Sequence, residues 1–478
     1  MRSVFVRSAV PLALSGTLLL SACQTFSPDG GMAPIAAFTR QELGKDMVAV
    51  RSDEDARAAR MAVEHLLRRP LTADAAVQIA LLNNRGLQAA YNELRLSEAV
   101  MVGESLPPNP SFSLTRISGS AEIEVERQVV ASILALATLP LRAEIAADRF
   151  RQAQLRAAEA TLRIAAETRR AYYAAVAARQ LAAFFAQAQS AAETATQLAK
   201  RLGETGAMNK LDQAREQVFY ADITAELATV RQRASSERER LTRLMGLWGD
   251  DLEFKLPNAL PALPRRPRSL LTIEAEAVRR RVDLQIARVG LEALAKSYGL
   301  TSATRFINVL EAGYADKITK DKTTGEKVRD RGFIVELQVP LFDFGEVRVR
   351  QAEQIYLLAV NQLAEKAINV RSEARDAYRV YRSTYDVAAH YEREVLPLRK
   401  IISDETMLRH GAMQIDVFSL LAEARQRIAA TMTAIQAQRD FWLASTDLGV
   451  AVVGGGTSGP TSENLRPMAN ADAGVPGH

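Results

Sequence analysis

The chain has 478 residues, 24% of them charged, with 61 basic residues set against 56 acidic ones. That length allows two or three ordinary domains or one elongated object. After residue 22 no apolar run reaches the ~18–20 residues of a membrane-crossing helix, and the basic residues alternate with acids instead of forming a stripe. Helical membrane proteins and nucleic-acid binders are therefore excluded.

The first segment, 1–22, has the layout of a secretory signal. Arg2 and Arg7 precede the apolar core Ala9 to Leu20, and Leu20-Ser21-Ala22-Cys23 follows. That ending looks like a bacterial lipobox, which makes Cys23 the expected lipidated first residue of a mature, palmitate-bearing lipoprotein. Gln24 in place of Asp fits sorting to a Gram-negative outer membrane. Cys23 is the one cysteine, so no disulfide framework is expected. Residues 23–70 are weakly patterned and read as an anchor segment.

Residues 71–250 form a first repeat. Apolar residues at i, i+3 and i+4 predict a helix from Leu71 to about Glu104, stopped by Pro107-Pro108-Asn109-Pro110. Within 110–130 two alternating runs, Ser111 to Ile117 and Ala121 to Val129, predict a hairpin. A helical pattern without Gly follows from about Leu141 to Leu202, about 93 Å if straight. Gly203 and Gly206 break it, and a returning helix runs from about Asn209 to Leu247. The Pro-rich stretch 251–270 reads as a linker.

The order then recurs over 271–450. Leu271-Thr272 echoes Leu71-Thr72, and Leu284-Gln285 echoes Leu87-Gln88. Strands are expected at 303–315 and 332–342, separated by a charged loop from Asp316 to Arg331. A second long helix is expected from about Val347 to Arg409, broken at Gly411, with a last helix to about Leu448. The common order at an offset of about 200 residues signals internal duplication. The tail 451–478 is Gly-, Ser- and Asn-rich and is expected to be disordered.

The strands pose a problem for a soluble fold. Phe333, Val335 and Leu337 alternate with Glu336 and Gln338, and Ile123 and Val125 alternate with Glu122, Glu124 and Glu126. Apolar-out, polar-in alternation is the signature of a transmembrane β-barrel strand, and strands in lipid must close. Four strands are too few for a water-filled barrel, so several chains must contribute.

Over about residues 70 to 450 the chain resembles the TolC-type outer-membrane efflux proteins (outer membrane factors of the lipoprotein type). The resemblance rests on Ala80-Leu81-Leu82-Asn83-Asn84, Leu106-Pro107-Pro108-Asn109-Pro110, Val339-Pro340-Leu341-Phe342-Asp343-Phe344-Gly345, Arg201-Leu202 with Gly206 and Asp212, and the repeat. It implies a mainly α fold with β. Long antiparallel helical hairpins form a periplasmic α-barrel, and each chain of a homotrimer gives four strands to one twelve-stranded transmembrane β-barrel. It also implies a passive duct in the outer-membrane lipid, joined by a periplasmic adaptor to an inner-membrane pump. Pro340 and Gly345, with Pro140 in the first half, become the swivel between strand and helix. The first half departs here: its matching stretch, Val130 to Leu141, keeps only Pro140 and lacks Gly.

No catalytic motif, cofactor site or phosphate loop is present, so the chain is not read as an enzyme. By resemblance the two helix tips, with Arg201, Leu202, Gly206 and Gly411, gate the duct and meet the adaptor. Asp212 and Asp416 either form carboxylate rings in a trimer or cap the returning helices. Met407, His410 and Met413 offer soft-metal donors, although methionines at such spacing more often pack. Two other readings remain open: a periplasmic coiled-coil lipoprotein scaffold, and the outlet of a type I protein secretion system.

Overall fold

The computed structural model describes residues 25–269, 272–412 and 414–454. The expected signal 1–22, Cys23, Met413 and residues 455–478 lie outside them. The elements are α1 (Ala33–Leu43), α2 (Asp53–Leu67), α3 (Ala73–Asn83), α4 (Arg85–Ser105), β1 (Ser111–Ser118), β2 (Glu122–Ser132), α5 (Ile133–Glu204) and α6 (Lys210–Met245). After these come α7 (Ile273–Arg280), α8 (Val282–Ala303), β3 (Val309–Asp321), β4 (Lys327–Gln338), α9 (Glu346–His390), α10 (Leu396–Gly411) and α11 (Val417–Val453). They divide into two compact units, each drawing on both halves of the chain. Among the described residues one, the strand unit, holds residues 25–37, 89–157 and 283–368. The other, the helix unit, holds Phe38–Gln88, the described residues of Ala158–Val282, and those of 369–454.

In the strand unit the four strands form one antiparallel sheet in the order β1-β2-β3-β4. The central pair, β2 with β3, joins the two halves of the sequence. The second hairpin is longer and lies elsewhere than expected: Asp316 to Asp321 and Lys327 to Arg331 are strand, leaving only Lys322 to Glu326 as a turn. The charged stretch reads as a solvated loop in one dimension. In the sheet its charges pair across strands, as Asp316 does with Arg329 at 2.6 and 2.8 Å.

The helix unit shows the duplication at atomic level. The single helix expected from Leu71 to Glu104 is two helices broken at Asn84, with φ −67° and ψ 117°. Its counterpart, Arg281 between α7 and α8, has φ −64° and ψ 120°. Each break residue donates its backbone N–H to the carbonyl four residues earlier, Ala80 and Ala277. The Leu-Asn-Asn run has a structural task. Asn83 Nδ2 donates to the Met245 and Gly246 carbonyls at 3.2 and 2.6 Å, and Asn84 Nδ2 donates to the Leu244 carbonyl at 2.8 Å. Asn84 Oδ1 also accepts from Leu87 N–H at 3.0 Å, so it caps α4. These amides satisfy carbonyls at the end of α6 that no helical partner reaches. Asn84→Ala is expected to cost about 1–3 kcal/mol by orphaning such groups, read as faster proteolysis at the α6 terminus.

The stretch expected as a linker is packed. Phe254, Leu256 and Leu260 are buried with Leu71, Ile79, Tyr172, Val176 and Leu241. Tyr385 Oη donates to the carbonyls of Pro264 and Arg265, and Trp442 Nε1 to that of Pro261. Prolines leave their carbonyls available, and long aromatic donors on the helices take them. The Tyr172 hydroxyl donates to the Leu71 carbonyl at 3.0 Å, and burial pushes its pKa up to about 12. The last helix also outruns expectation: it continues to Val453, with Ala451 and Val452 buried.

The second long helix carries an interruption that the sequence reading passed over. Residues Tyr391–Val395 form a π turn ahead of Pro397. A proline inside a helix lacks the N–H for the preceding turn and crowds its carbonyl, and a widened turn relieves both.

Candidate functional site

Strand register sorts the sheet into two chemically distinct faces. Phe112, Val129, Tyr314 and Phe333 are paired across all four strands and share a face. Ala131, Ala312 and Val335 form the next row on that face, toward the helix-connected ends, and Leu310 and Leu337 the one beyond. Phe333 is 89% exposed, Val335 71% and Phe112 68%. The opposite face carries Glu122, Glu124 and Glu126 of β2, Glu311 and Asp321 of β3, and Asp330 and Glu336 of β4. Its counter-charge is Lys317, 2.9 Å from Glu124. In a soluble fold a four-stranded sheet buries its apolar face and covers its edges. Here the apolar face is open and, within this chain, β1 and β4 have unpaired edges.

The exit from β4 is a tight left-handed turn. Phe344 has φ 49° and Gly345 has φ 71°. A Cβ on Gly345 would lie 2.0 Å from the Arg305 carbonyl oxygen, so only glycine fits. The turn is tied down on both sides. Phe344 N–H donates to the Pro340 carbonyl at 2.9 Å, and Arg305 Nε to the Phe344 carbonyl at 3.2 Å. Arg348 Nη2 donates to the carbonyls of Thr304 and Arg305. Leu341, Phe342 and Phe344 around it are exposed. The first half differs, as its missing glycine requires. β2 ends at Ser132 and α5 begins at once, with Ser132 Oγ accepting from Ala135 N–H at 3.4 Å. Pro140 lies inside this continuous helix, not at a strand end. Ser132 supplies the helix start there, eight residues before Pro140.

At the first helix tip, Gly206 has φ 75° and reverses the chain. The Ala207 and Met208 N–H groups both donate to the Leu202 carbonyl, at 2.8 and 3.1 Å, so Leu202 acts through its backbone as well as its position. Arg201 is exposed. The returning helix is capped by Asn209, whose Oδ1 accepts from Asp212 N–H at 2.9 Å. The Asp212 carboxylate is held by Asn209 Nδ2 at 2.6 Å and by Arg215 at 3.0 Å. At the second tip Asp416 is itself the cap, accepting from Ser419 N–H at 2.8 Å, and hydrogen bonds from Ser419 hold its pKa below the usual carboxylate range. Gly411 closes α10 as a helical residue, so the expected left-handed glycine occurs at Gly206 and not there.

Of the soft-metal trio only Met407 and His410 lie among the described residues. Met407 is exposed, and a His410 ring nitrogen lies 3.3 Å from its own turn's Ile415 carbonyl. No group of three or more His, Cys, Asp or Glu placed to hold a metal occurs among the described residues. Nor is any described helix long and apolar enough to cross a membrane.

The helix unit also holds an ion pair that sequence reasoning missed. Glu216 on α6 is 3% exposed, and its Oε1 accepts from Arg425 Nη2 of α11 at 2.9 Å. The Arg425 guanidinium stacks 4.4 Å over the Phe219 ring. Burial pushes the Glu216 pKa up, with Arg425 partly opposing that and Asp212 adding to it. A single glutamate on a charged helix gives no sign of burial, and its partner lies 209 residues away. Leu211 and Val218, seven residues apart on α6, are exposed beside this pair.

The outer membrane efflux protein family model matches residues 275–403. The cobalt-zinc-cadmium resistance protein CzcC of Cupriavidus metallidurans is 29% identical over 242 residues, covering 47% of this chain and 55% of CzcC. The chain thus spans little more than half of that relative. CusC, solved in a study of folding and transmembrane channel formation, superposes with a TM-score of 0.66 at 16% identity, over 80% of this chain and 92% of CusC. The CmeC outer membrane channel of Campylobacter jejuni gives a TM-score of 0.68 at 15% identity, over 82% of this chain and 88% of CmeC. The chain thus shares its fold with these channels and is similar to the outer membrane efflux proteins over residues 275–403.

Proposed function

We propose that this protein is the outer-membrane channel of a tripartite efflux system, a passive duct that carries metal cations from the periplasm to the exterior. The observation that carries this reading is the two-faced sheet. An open apolar face and two free edges are stable in lipid only if the edges pair. With four antiparallel strands per chain, β4 of one copy meets β1 of the next in antiparallel sense, so three copies close a twelve-stranded barrel. The apolar face then meets lipid and the acidic face lines the lumen. Seven carboxylates and one lysine per chain on that face favour cations over anions. The relative named for cobalt, zinc and cadmium resistance agrees with such cargo.

In this reading Cys23 carries the lipid anchor. The tips, with Arg201, Leu202, Gly206, Gly411 and the exposed Leu211 and Val218, receive a periplasmic adaptor, and through it an inner-membrane pump supplies the energy. Asp416 shapes its tip turn by capping α11, and Asp212 shapes the other by holding the Asn209 side chain that caps α6. The deciding experiment is purification of a Cys23→Ala variant from outer membranes, sized with and without detergent. A detergent-dependent trimer is expected. A soluble monomer would mean that the strands never closed in lipid, as a coiled-coil scaffold requires. For the cargo, the reconstituted channel under a salt gradient is expected to show a reversal potential of cation-selective sign. An anion-selective sign would remove the cation assignment and leave the channel.

A further inference from the structure

On the apolar face, the rows nearest the two hairpin turns change character. Arg127, Asp316 and Arg331 share one cross-strand row with Leu114. Arg116 and Arg329 share the next row with Val125 and Ile318, and Lys320 and Lys327 the last with Ser118 and Ile123. All six cations are exposed. The one carboxylate among them, Asp316, is buried beneath Arg329, which it holds by two hydrogen bonds, with Arg331 at 3.9 Å. This face is therefore basic at the turn end and apolar toward the helix-connected end, the reverse of the acidic face behind it.

We propose that this basic collar binds the phosphate groups of anionic lipid headgroups in the leaflet that surrounds the hairpin turns. The inference rests on the reading that the sheet closes in the outer membrane with its apolar face outward. A lipid-facing cation is costly at mid-bilayer and nearly free at the interface, so the collar marks the headgroup level. Snorkelling alone would permit cations at either end of the strands. They are concentrated at one end, while exposed Leu341, Phe342 and Phe344 occupy the other. That asymmetry matches a bilayer whose two leaflets differ in phosphate density. Arginine's planar fork suits phosphate oxygens, and Asp316 fixes the Arg329 plane while leaving N–H donors facing outward.

The test compares the full-length wild type with the variant Arg116→Gln/Arg127→Gln/Arg331→Gln, which keeps the Asp316–Arg329 pair. Both are first sized as detergent-solubilised trimers. Binding is then measured to diphosphorylated lipid A in mixed micelles, to its dephosphorylated form, and to inorganic phosphate. The wild type is expected to prefer the phosphorylated lipid, and the variant to bind it about tenfold more weakly or worse. Equal binding of the dephosphorylated lipid would overturn the proposal in favour of apolar contact alone. Full competition by inorganic phosphate would replace the lipid with a free anion, and an unchanged variant would remove the collar. A wild type that forms no detergent-dependent trimer would instead overturn the channel reading, and the collar with it.

Discussion

Replacing Gly345 with alanine is expected to destabilise the fold by about 2–5 kcal/mol and to leave little of the proposed trimer in the outer membrane. Two costs add. An L-residue in the left-handed region gives up about 1–2 kcal/mol. The new Cβ would also sit 2.0 Å from the Arg305 carbonyl oxygen, well inside contact distance, and forcing an atom into filled space costs about 1–3 kcal/mol. The obstacle is backbone and cannot rotate away as a side chain could. That carbonyl is moreover held by Arg348, so moving it breaks a second contact. Gly332→Ala is the matched control, since nothing lies within 4 Å of its Cβ position. Heat-resistant trimer on gels, quantified for both variants, reads the difference. A Gly345→Ala protein as resistant as the Gly332→Ala control would show that the turn relaxes without loss.

The Arg425→Met variant is expected to loosen the pairing of α6 with α11 near the helix tips, and to do so more at neutral than at acid pH. Removing one partner of a fully buried pair costs roughly 3–5 kcal/mol, because a charge stays buried without compensation. Arg425 keeps 39% of its side chain exposed, which brings the expected loss to about 1–3 kcal/mol. The pH dependence follows from Glu216. Its folded pKa is raised, chiefly by burial. A carboxyl with a raised folded pKa favours the folded state fully below its unfolded pKa, and that contribution fades as pH rises through the folded pKa. Without Arg425 the pKa rises further and the pH dependence steepens. Glu216→Gln removes it, and the double variant recovers most of the loss. Amide hydrogen exchange along α6 and α11 at two pH values measures this. Equal loss at both pH values would show that Arg425 acts through its packing on Phe219 rather than its charge.

Local chemistry was legible wherever it repeats at a fixed period. The alternation of Phe333, Val335 and Leu337 with Glu336 and Gln338 marks a two-faced strand, and the sheet has those faces. Glycine legibility was uneven. Gly206 is left-handed as its turn suggests, whereas Gly411 closes α10 as a helical residue. Pro140 is expected at the first half's swivel, and Pro397 stands inside the expected second long helix. The first lies within a continuous helix near its start, and the second imposes a π turn.

The sequence by itself determined the order of elements, the duplication and the two-faced character of the strands, because period and turn chemistry are properties of neighbouring residues. Only the tertiary structure decided which charges belong to strands, since Asp316 needs Arg329, diagonally across on the neighbouring strand, to be a strand residue rather than a loop residue. It likewise decided the burial of Glu216 against Arg425, the clamp of Asn83 and Asn84 on α6, and the closeness of Gly345 to Arg305. Each of these depends on groups brought together from distant positions, and a chain read in one dimension carries no distance between them.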